Sequence, residues 1–150
     1  MQDFEICFAK QSQLNEIVKL NHSFVKENCC NGVVADDLEY FSTKQIAIAI
    51  VNGKVVGYAY GCFEIETKNR AYASVGDKIF YLDEMYVLPK FRKLRLGEKL
   101  FNFLQEYARQ NGCQLITLNA VSKNYKSLLK FYIENLNMEF WSAFLIKKLQ

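Results

Sequence analysis

The sequence predicts a mixed α/β protein in which strands and helices alternate within one layered unit. Along the 150 residues, β-rich runs alternate with segments whose apolar residues recur at helical spacing. A strand, helix and strand follow one another in the second half, which implies some parallel pairing. Earlier, Asn52-Gly53 between two β-rich runs predicts an antiparallel hairpin. We therefore expect a mixed sheet in a single domain over residues 1–150.

The chain begins with a predicted strand and two predicted helices. Apolar and other residues alternate over Phe4–Phe8, as in a strand. Ser12 is expected to cap a helix that ends near the breaker cluster Asn28–Gly32. A short acidic helix is expected at 36–41.

The middle of the chain predicts three strands. The runs 46–51 and 55–65 flank the hairpin turn, and the polar segment 66–78 is typical of a loop. Residues 79–88 predict another strand, which Pro89 ends because proline cannot continue the ladder.

The second half carries the main amphipathic helix. Apolar residues recur every four positions from Leu96 until the stop signal Asn111-Gly112. Residues 113–120 predict a strand, 125–136 a helix and 138–147 a last strand rich in aromatic and aliphatic residues.

Composition excludes several classes of protein. The longest apolar stretch, residues 55–63, is far shorter than the ~20 residues of a membrane helix, and the first residues lack a secretory pattern. We therefore expect a cytoplasmic protein with no membrane partner. The net charge of +3 is too small to argue for nucleic acid.

The cysteines and the one histidine predict neither disulfides nor a metal. The five cysteines are an odd number without disulfide or CxxC spacing, so reduced thiols are expected. His22 stands alone and is expected on a solvated helix face, which leaves no cluster at zinc-ligand spacing.

A basic segment lies directly before the main helix. PKFRKLRLG places two lysines and two arginines within six positions, from Lys90 to Arg95. The open N–H groups of a helix's first turn bind anions, and nearby cations reinforce the effect. This arrangement favours a phosphate ligand, with a solvated basic turn as the alternative.

Two runs resemble the acetyl-CoA-binding core of the GNAT superfamily of N-acetyltransferases: YLDEMYVLPKFRKLRLGEKLFNFLQEYARQNG and KSLLKFYIENLNMEFWSAFLIKKL. The resemblance implies a mixed central sheet of about six to seven strands flanked by helices on both faces. Arg92 to Gly97 occupies the family's [Q/R]-x-x-G-x-[G/A] loop. The implied donor is acetyl-CoA, with no metal.

The resemblance also implies which residues hold the donor. Loop amides would hold the pyrophosphate, and strand backbone groups would meet the pantetheine arm and the thioester carbonyl. These residues are Met85, Tyr86, Val87, Arg92, Lys93, Leu94, Arg95, Leu96, Gly97 and Glu98.

Two positions depart from the family pattern. Arg95 replaces the first glycine, whose role is to tolerate positive φ, so Arg95 is expected to need a negative φ. Its guanidinium could then pair with a phosphate oxygen. In the last helix, Tyr125 replaces the usual asparagine, and Asn124 could supply that contact to the pantetheine arm.

The reaction requires a neutral amine and a proton for the departing thiolate. A lysine-like amine with a pKa of about 10.4 is rarely neutral at pH 7, so a base is useful. Glu84 is the first candidate for the base, ahead of Asp83, Glu64 and Glu66. The alternative is that all four are ordinary solvated carboxylates.

The resemblance identifies Tyr132 as the general acid, with a purely core role as the alternative. It also implies that the strand N–H near Tyr86 holds the oxyanion. It further implies that segments around the acceptor pocket carry Arg70, Tyr72, Asp36, Asp37 and Glu39. The three acidic residues among them favour a cationic amine as the acceptor.

We therefore expect an acetyl-CoA-dependent N-acetyltransferase acting on a small amine or a peptide amine. A non-catalytic acyl-CoA-binding regulatory module of the same fold is the main alternative, and a nucleic-acid-binding domain is a third. The aromatic last strand could pair at a homodimer interface.

Overall fold

The predicted hairpin lies at the centre of a five-stranded sheet in the computed structural model, which describes residues 3–150. Asn52 and Gly53 have φ values of 50° and 77°, the positive pair that a tight hairpin turn requires. In chain order the elements are β1 (Phe4–Phe8), α1 (Leu14–Glu27), α2 (Leu38–Ser42), β2 (Ile46–Val51), β3 (Lys54–Ile65), β4 (Lys78–Val87), α3 (Leu96–Gln110), β5 (Leu115–Thr117) and α4 (Tyr125–Lys130).

The sheet is mixed, as predicted. Its strand order is β1-β2-β3-β4-β5, with antiparallel pairing from β1 to β4 and parallel pairing between β4 and β5. The parallel pair joins only 79–81 to 115–117. None of the helices in residues 3–150 is long and apolar enough to cross a membrane.

Helices cover both faces of the sheet, also as predicted. α1 and α2 pack on one face, in a core that includes Ile17, Phe24, Phe41 and Tyr58. On the other face, α3 packs together with a π-helical turn at Phe131–Asn135 that continues α4. Each face therefore has its own apolar core.

A β-bulge in β4 separates two neighbouring carboxylates. Tyr60 pairs with Glu84, whereas the next residue, Gly61, pairs with Leu82, so Asp83 is the extra residue. A Cβ atom at Gly61 would lie 2.2 Å from the Tyr81 carbonyl oxygen, so only glycine fits opposite the bulge. Because of the bulge, Leu82 packs in the α3 core while Glu84 contacts the α1 side.

The start of α1 differs from the prediction that Ser12 caps it. Residues Gln11–Gln13 form a 3₁₀ turn, and α1 begins after Gln13. The Lys10 N–H donates to Gln13 Oε1 at 2.8 Å, so the Gln13 side chain closes this turn. The cap prediction was wrong because the chain enters α1 through a tighter turn.

The expectation of six to seven strands was also wrong. The predicted strand over 113–120 is reduced to β5, because the chain then leaves β4 and pairs with residues 29–31, which follow α1. There the Asn31 N–H donates to Val121 O, and the Lys123 N–H donates to Cys29 O, both at 2.9 Å. The segment 138–147 forms no strand within the described chain. Alternation predicts that a segment can pair, but not which edge it pairs with.

Candidate active site

β4 and β5 separate beyond Tyr81 and leave one edge of β4 open. The Leu88 N–H donates to Val56 O at 2.9 Å, on the β3 side. Strand alternation therefore turns the Tyr86 peptide group toward β3 and the Met85 and Val87 peptide groups toward the open edge. The Val87 carbonyl oxygen accepts a hydrogen bond from Arg92 Nε at 2.9 Å. The Met85 N–H and C=O and the Val87 N–H remain for a ligand at this edge.

The turn before α3 is held by Arg95 in a left-handed conformation, with φ 57° and ψ 28°. The negative φ expected for Arg95 is therefore not observed. Its guanidinium is also engaged: Nε and Nη2 donate to the Glu98 carboxylate at 2.9 and 2.8 Å. The amides of Leu96, Gly97 and Glu98 open α3, where the helix itself supplies no acceptor.

Arg92 ties the same turn to the end of α1. Its Nη2 donates to Glu27 Oε2 at 2.8 Å, and the Tyr86 hydroxyl donates to the same oxygen at 3.0 Å. The hydrogen bond from Arg92 is the main cause of the lowered pKa of Glu27. Lys90 and Lys93 form no salt bridge with residues 3–150, so they stay available to an anion.

On the same α1 face of the sheet, the half-buried Glu84 lies in a polar pocket formed by residues of the α1 core. Its Oε1 accepts hydrogen bonds from the Tyr58 hydroxyl and from Asn21 Nδ2, the latter at 3.2 Å. Burial raises the pKa of Glu84, and the two hydrogen bonds offset only part of this increase. The pocket therefore contains a carboxylate that gives up its proton less readily than an exposed glutamate.

Asn21 connects this pocket to the segment before α2. The side chain is fully buried, its Oδ1 accepts the Asp36 N–H at 2.8 Å, and its Nδ2 lies 3.4 Å from Val34 O. The negative charge of Asp36 also contributes to the raised pKa of Glu84. One buried amide thus holds two acidic residues close together.

The other acidic residues predicted around the acceptor have different surroundings. Asp37 caps α2, since its Oδ1 accepts the Tyr40 N–H at 2.9 Å, and Glu39 is exposed. Tyr40 and Tyr60 extend the polar lining, with hydroxyl oxygens 3.1 Å apart. The pocket thus has a mixed phenol and carboxylate lining.

Asp83 and the segment 64–72 lie outside the Glu84 pocket. Asp83 is exposed, and its neighbours are Cys62 and Lys44. Glu66 binds Arg70 at 3.1 Å, and Tyr72 packs against Trp141. Glu64 is likewise exposed. The structure therefore separates Glu84 from the other carboxylates of β3 and β4.

Tyr132 is buried in the π-helical turn after α4, where its ring packs against Phe101 and Phe131. Burial raises its pKa to about 12, with a smaller contribution from Cys30, so the phenol keeps its proton at neutral pH. Asn124 precedes α4 without a side-chain capping bond, and its N–H donates to Ser122 Oγ at 3.1 Å. No group of three or more potential ligands in residues 3–150 is arranged to hold a metal ion.

Five residues of this site were missed in the sequence: Asn21, Glu27, Tyr40, Tyr58 and Tyr60. Asn21 did leave a signal, because it falls on the apolar stripe of α1 between Ile17 and Phe24. A polar side chain on a buried stripe needs polar partners. Tyr58 lies 26 positions from its partner Glu84 in the sequence, and Glu27 lies 65 positions from Arg92. No local sequence pattern indicates such distant pairs.

The chain is similar to known acetyltransferases. The model of the Acetyltransferase (GNAT) family matches residues 12–137. A search of curated protein sequences found no match.

Solved structures share the fold. Aminoglycoside N-acetyltransferase AAC(6')-Iy in complex with CoA aligns with a TM-score of 0.75 and 16% identity, over 100% of this chain and 97% of that chain. A Trypanosoma brucei acetyltransferase aligns with a TM-score of 0.72 and 18% identity, over 98% of this chain and 100% of that chain. An aminoglycoside acetyltransferase from an uncultured soil metagenomic sample, in complex with sisomicin, aligns with a TM-score of 0.71 and 15% identity, over 98% of this chain and 97% of that chain.

Proposed function

Because the chain belongs to the acetyltransferase (GNAT) family, we propose that it transfers an acetyl group from acetyl-CoA to a primary amine of a small molecule or peptide. The amine attacks the thioester directly while both substrates are bound. The observation that carries this proposal is Glu84, a half-buried carboxylate on β4, the strand whose edge is open beyond Tyr81. Its raised pKa suits a group that must accept a proton from an amine.

Two features would bind the donor substrate, the first turn of α3 and the open edge of β4. The first-turn amides of α3, with Lys90 and Lys93 nearby, would bind the pyrophosphate, as helix N-termini bind anions. The Met85 and Val87 backbone groups would meet the pantetheine arm and the thioester carbonyl, and Asn124 would contact the same arm. Acetyl-CoA supplies the activated acyl group. The CoA complex of a protein with the same fold supports this assignment.

The residues of the chain move protons in the proposed reaction. The amine nitrogen forms a bond to the carbonyl carbon, and Glu84 takes the amine proton directly or through a water. The carbon–sulfur bond breaks, and Tyr132 protonates the departing thiolate. The Met85 N–H at the open edge stabilises the oxyanion, in place of the expected N–H near Tyr86.

The pocket favours a cationic acceptor. Glu84 and Asp36 supply negative charge, while Tyr58, Tyr60 and Tyr40 supply hydroxyl groups and aromatic rings. An ammonium group is attracted to both carboxylates and ring faces. The sisomicin complex of a protein with the same fold makes aminoglycosides one class to test.

One observation favours a second function, that of a non-catalytic acyl-CoA-binding module. Arg95 occupies the position of the family's loop glycine, and its guanidinium is bound to Glu98. A side chain there crowds the phosphate site in a way that glycine does not. Loss of catalysis with retained binding would be consistent with this arrangement.

A thiol-release assay, with calorimetric titration of CoA, separates the two functions. The proposed enzyme should bind CoA and release thiol with at least one member of a panel of aminoglycosides, polyamines, amino acids and peptide amines. CoA binding without turnover across the panel would identify the non-catalytic module. Absence of CoA binding would contradict both.

A further inference from the structure

Two consecutive cysteines, Cys29 and Cys30, bring their thiols together just after α1. Their Sγ atoms lie 4.0 Å apart, and both side chains are free thiols that are only partly buried. Two metal–sulfur bonds of about 2.3 Å, the length found in thiolate sites, span this separation at an angle of about 120°. Both sulfur atoms can therefore reach a single small ion from the positions that they occupy.

The backbone holds this pair of thiols in place. After α1 the chain runs antiparallel to residues 121–123, where Cys30 pairs with Ser122. On the same side, the Lys123 N–H donates to Cys29 O at 2.9 Å. A thiol pair on a fixed backbone loses little conformational freedom when it binds an ion, and such preorganisation favours affinity.

The charged groups around the two thiols suit a cation. Cys29 lies beside the Glu27 carboxylate, whose lowered pKa keeps it ionised at neutral pH. Arg92 also faces Cys29, but its guanidinium pairs with Glu27 at 2.8 Å, which leaves little positive charge to repel an ion. Burial raises the pKa of Cys30 to about 11, so its thiol keeps a proton that a bound ion must displace.

The ligands select the ion by their softness and by their number. Thiolate sulfur is a soft ligand, and the metals that it selects are Cu(I), zinc and iron in iron–sulfur clusters. Structural zinc sites and iron–sulfur clusters take about four ligands. Within residues 3–150, no further histidine, cysteine, aspartate or glutamate completes a metal-binding group with the two thiols. Cu(I) is the ion of this group that two thiolates can hold, and a sequence without zinc-ligand spacing can still bind it.

We propose that Cys29 and Cys30 form a binding site for Cu(I), a soft monovalent cation. Two copper–sulfur bonds form, two sulfur–hydrogen bonds break, and the two protons pass to the solvent. No electron is transferred, because the copper enters and stays as Cu(I). The site uses neither Glu84 nor the amides of α3, so the proposal does not rest on acetyl transfer.

Competition with bicinchoninate, a coloured Cu(I) chelator, tests the site in the reduced full-length protein, without oxygen or CoA. The wild type should remove one Cu(I) per chain from the chelator. Cys29→Ser and Cys30→Ser should each weaken binding by more than about 100-fold, because loss of an outer-shell partner alone costs about 10- to 100-fold. Cys62→Ser is the matched control, since Cys62 is an exposed thiol on β3, and it should bind like the wild type. Equal affinities of the three variants would overturn the proposal.

Alkylation of the wild type gives a result that does not depend on the folding of a variant. One equivalent of Cu(I) should protect Cys29 and Cys30 from N-ethylmaleimide, because a coordinated thiolate is not a free nucleophile. The rate at Cys62, followed by peptide mass spectrometry, should stay unchanged. Equal protection of all three thiols, or protection of none, would overturn the proposal.

A metal competition tests the choice of ion. An excess of Zn(II) should leave Cu(I) bound, and displacement by Zn(II) would contradict the assignment to a soft monovalent ion. None of these measurements follows acetyl transfer, so the thiol-release assay tests the enzyme function separately.

Discussion

Glu84 is half-buried beside two uncharged hydrogen-bond donors, Tyr58 and Asn21, whereas two arginines before α3 are more exposed and form ion pairs. Arg92 pairs with Glu27 of α1, and Arg95 pairs with Glu98 of α3. The difference has a chemical consequence. Glu27 is bound to Arg92 and stays ionised, while Glu84 has no cationic partner and its pKa is raised. A carboxylate that must exchange protons needs the environment of Glu84, without a cationic partner. A carboxylate that holds a turn in place needs the environment of Glu27, with one.

The sharpest test of this contrast is Glu84→Gln. We expect kcat to fall by about 10²- to 10⁴-fold, the usual loss for a general base. The wild-type rate should rise as pH passes upward through the raised pKa of Glu84, and the variant should lack this rise. Asp83→Asn is the neighbouring control: it should keep the rise in rate, shifted slightly to lower pH, because the Asp83 charge makes a small contribution to the raised pKa of Glu84.

Stability separates a catalytic role of Glu84 from a structural one. Burial raises the pKa of Glu84, so the folded state favours the protonated form, and stability is lost as pH rises through the folded pKa. At pH 8 the free energy of unfolding of Glu84→Gln, measured in urea, should therefore equal or exceed that of the wild type. A variant that is both less stable and less active would point to a structural role.

Tyr132→Phe tests the proposed general acid, which lies in the π-helical turn after α4. Removing the hydroxyl should lower kcat by about 10²-fold and leave the Kd for acetyl-CoA unchanged, because the ring still packs on Phe101 and Phe131. Stopped-flow turnover and calorimetry measure the two quantities. Tyr125→Phe, at an exposed tyrosine of α4, is the control, and equal rates for the two variants would remove Tyr132 as the acid.

The smallest expected effect concerns Arg95. A non-glycine residue in the left-handed region costs about 1–2 kcal/mol, and an exposed ion pair such as Arg95–Glu98 returns about 0–1 kcal/mol. Arg95→Gly should therefore raise the free energy of unfolding by about 0–2 kcal/mol and tighten CoA binding. Arg95→Ala keeps the conformational cost and loses the ion pair, so it should be less stable than the wild type. If Arg95→Gly and Arg95→Ala had the same thermal denaturation midpoint, backbone strain at position 95 would not limit the stability of the wild type.

The strand, turn and helix of the proposed donor site could be predicted from the sequence because their signals are local. The strand before Pro89, the basic turn and the helix from Leu96 follow one another along the chain, and the structure contains all three. The surroundings of Glu84, the proposed acceptor pocket, could not be predicted in the same way. Glu84 meets Tyr58 and Asn21 only after β3, β4 and α1 pack together, and the bulge at Asp83 decides which carboxylate enters the pocket.

The last segment shows another limit of sequence patterns. Residues 138–147 have the alternation and apolar content of a strand, yet they pair with no strand in the described chain. Hydrophobic patterning records how much surface a segment needs to bury. It does not record whether the covering surface belongs to the same molecule.

Gly61 gives the bulge a consequence for protein engineering. The bulge that turns Glu84 toward the α1 side lies beside Gly61, which pairs with Leu82, and a methyl group at position 61 would meet the Tyr81 carbonyl. A screen that varied only the lining of the pocket would overlook this position. The orientation of the proposed base, Glu84, thus depends on the absence of a side chain at Gly61.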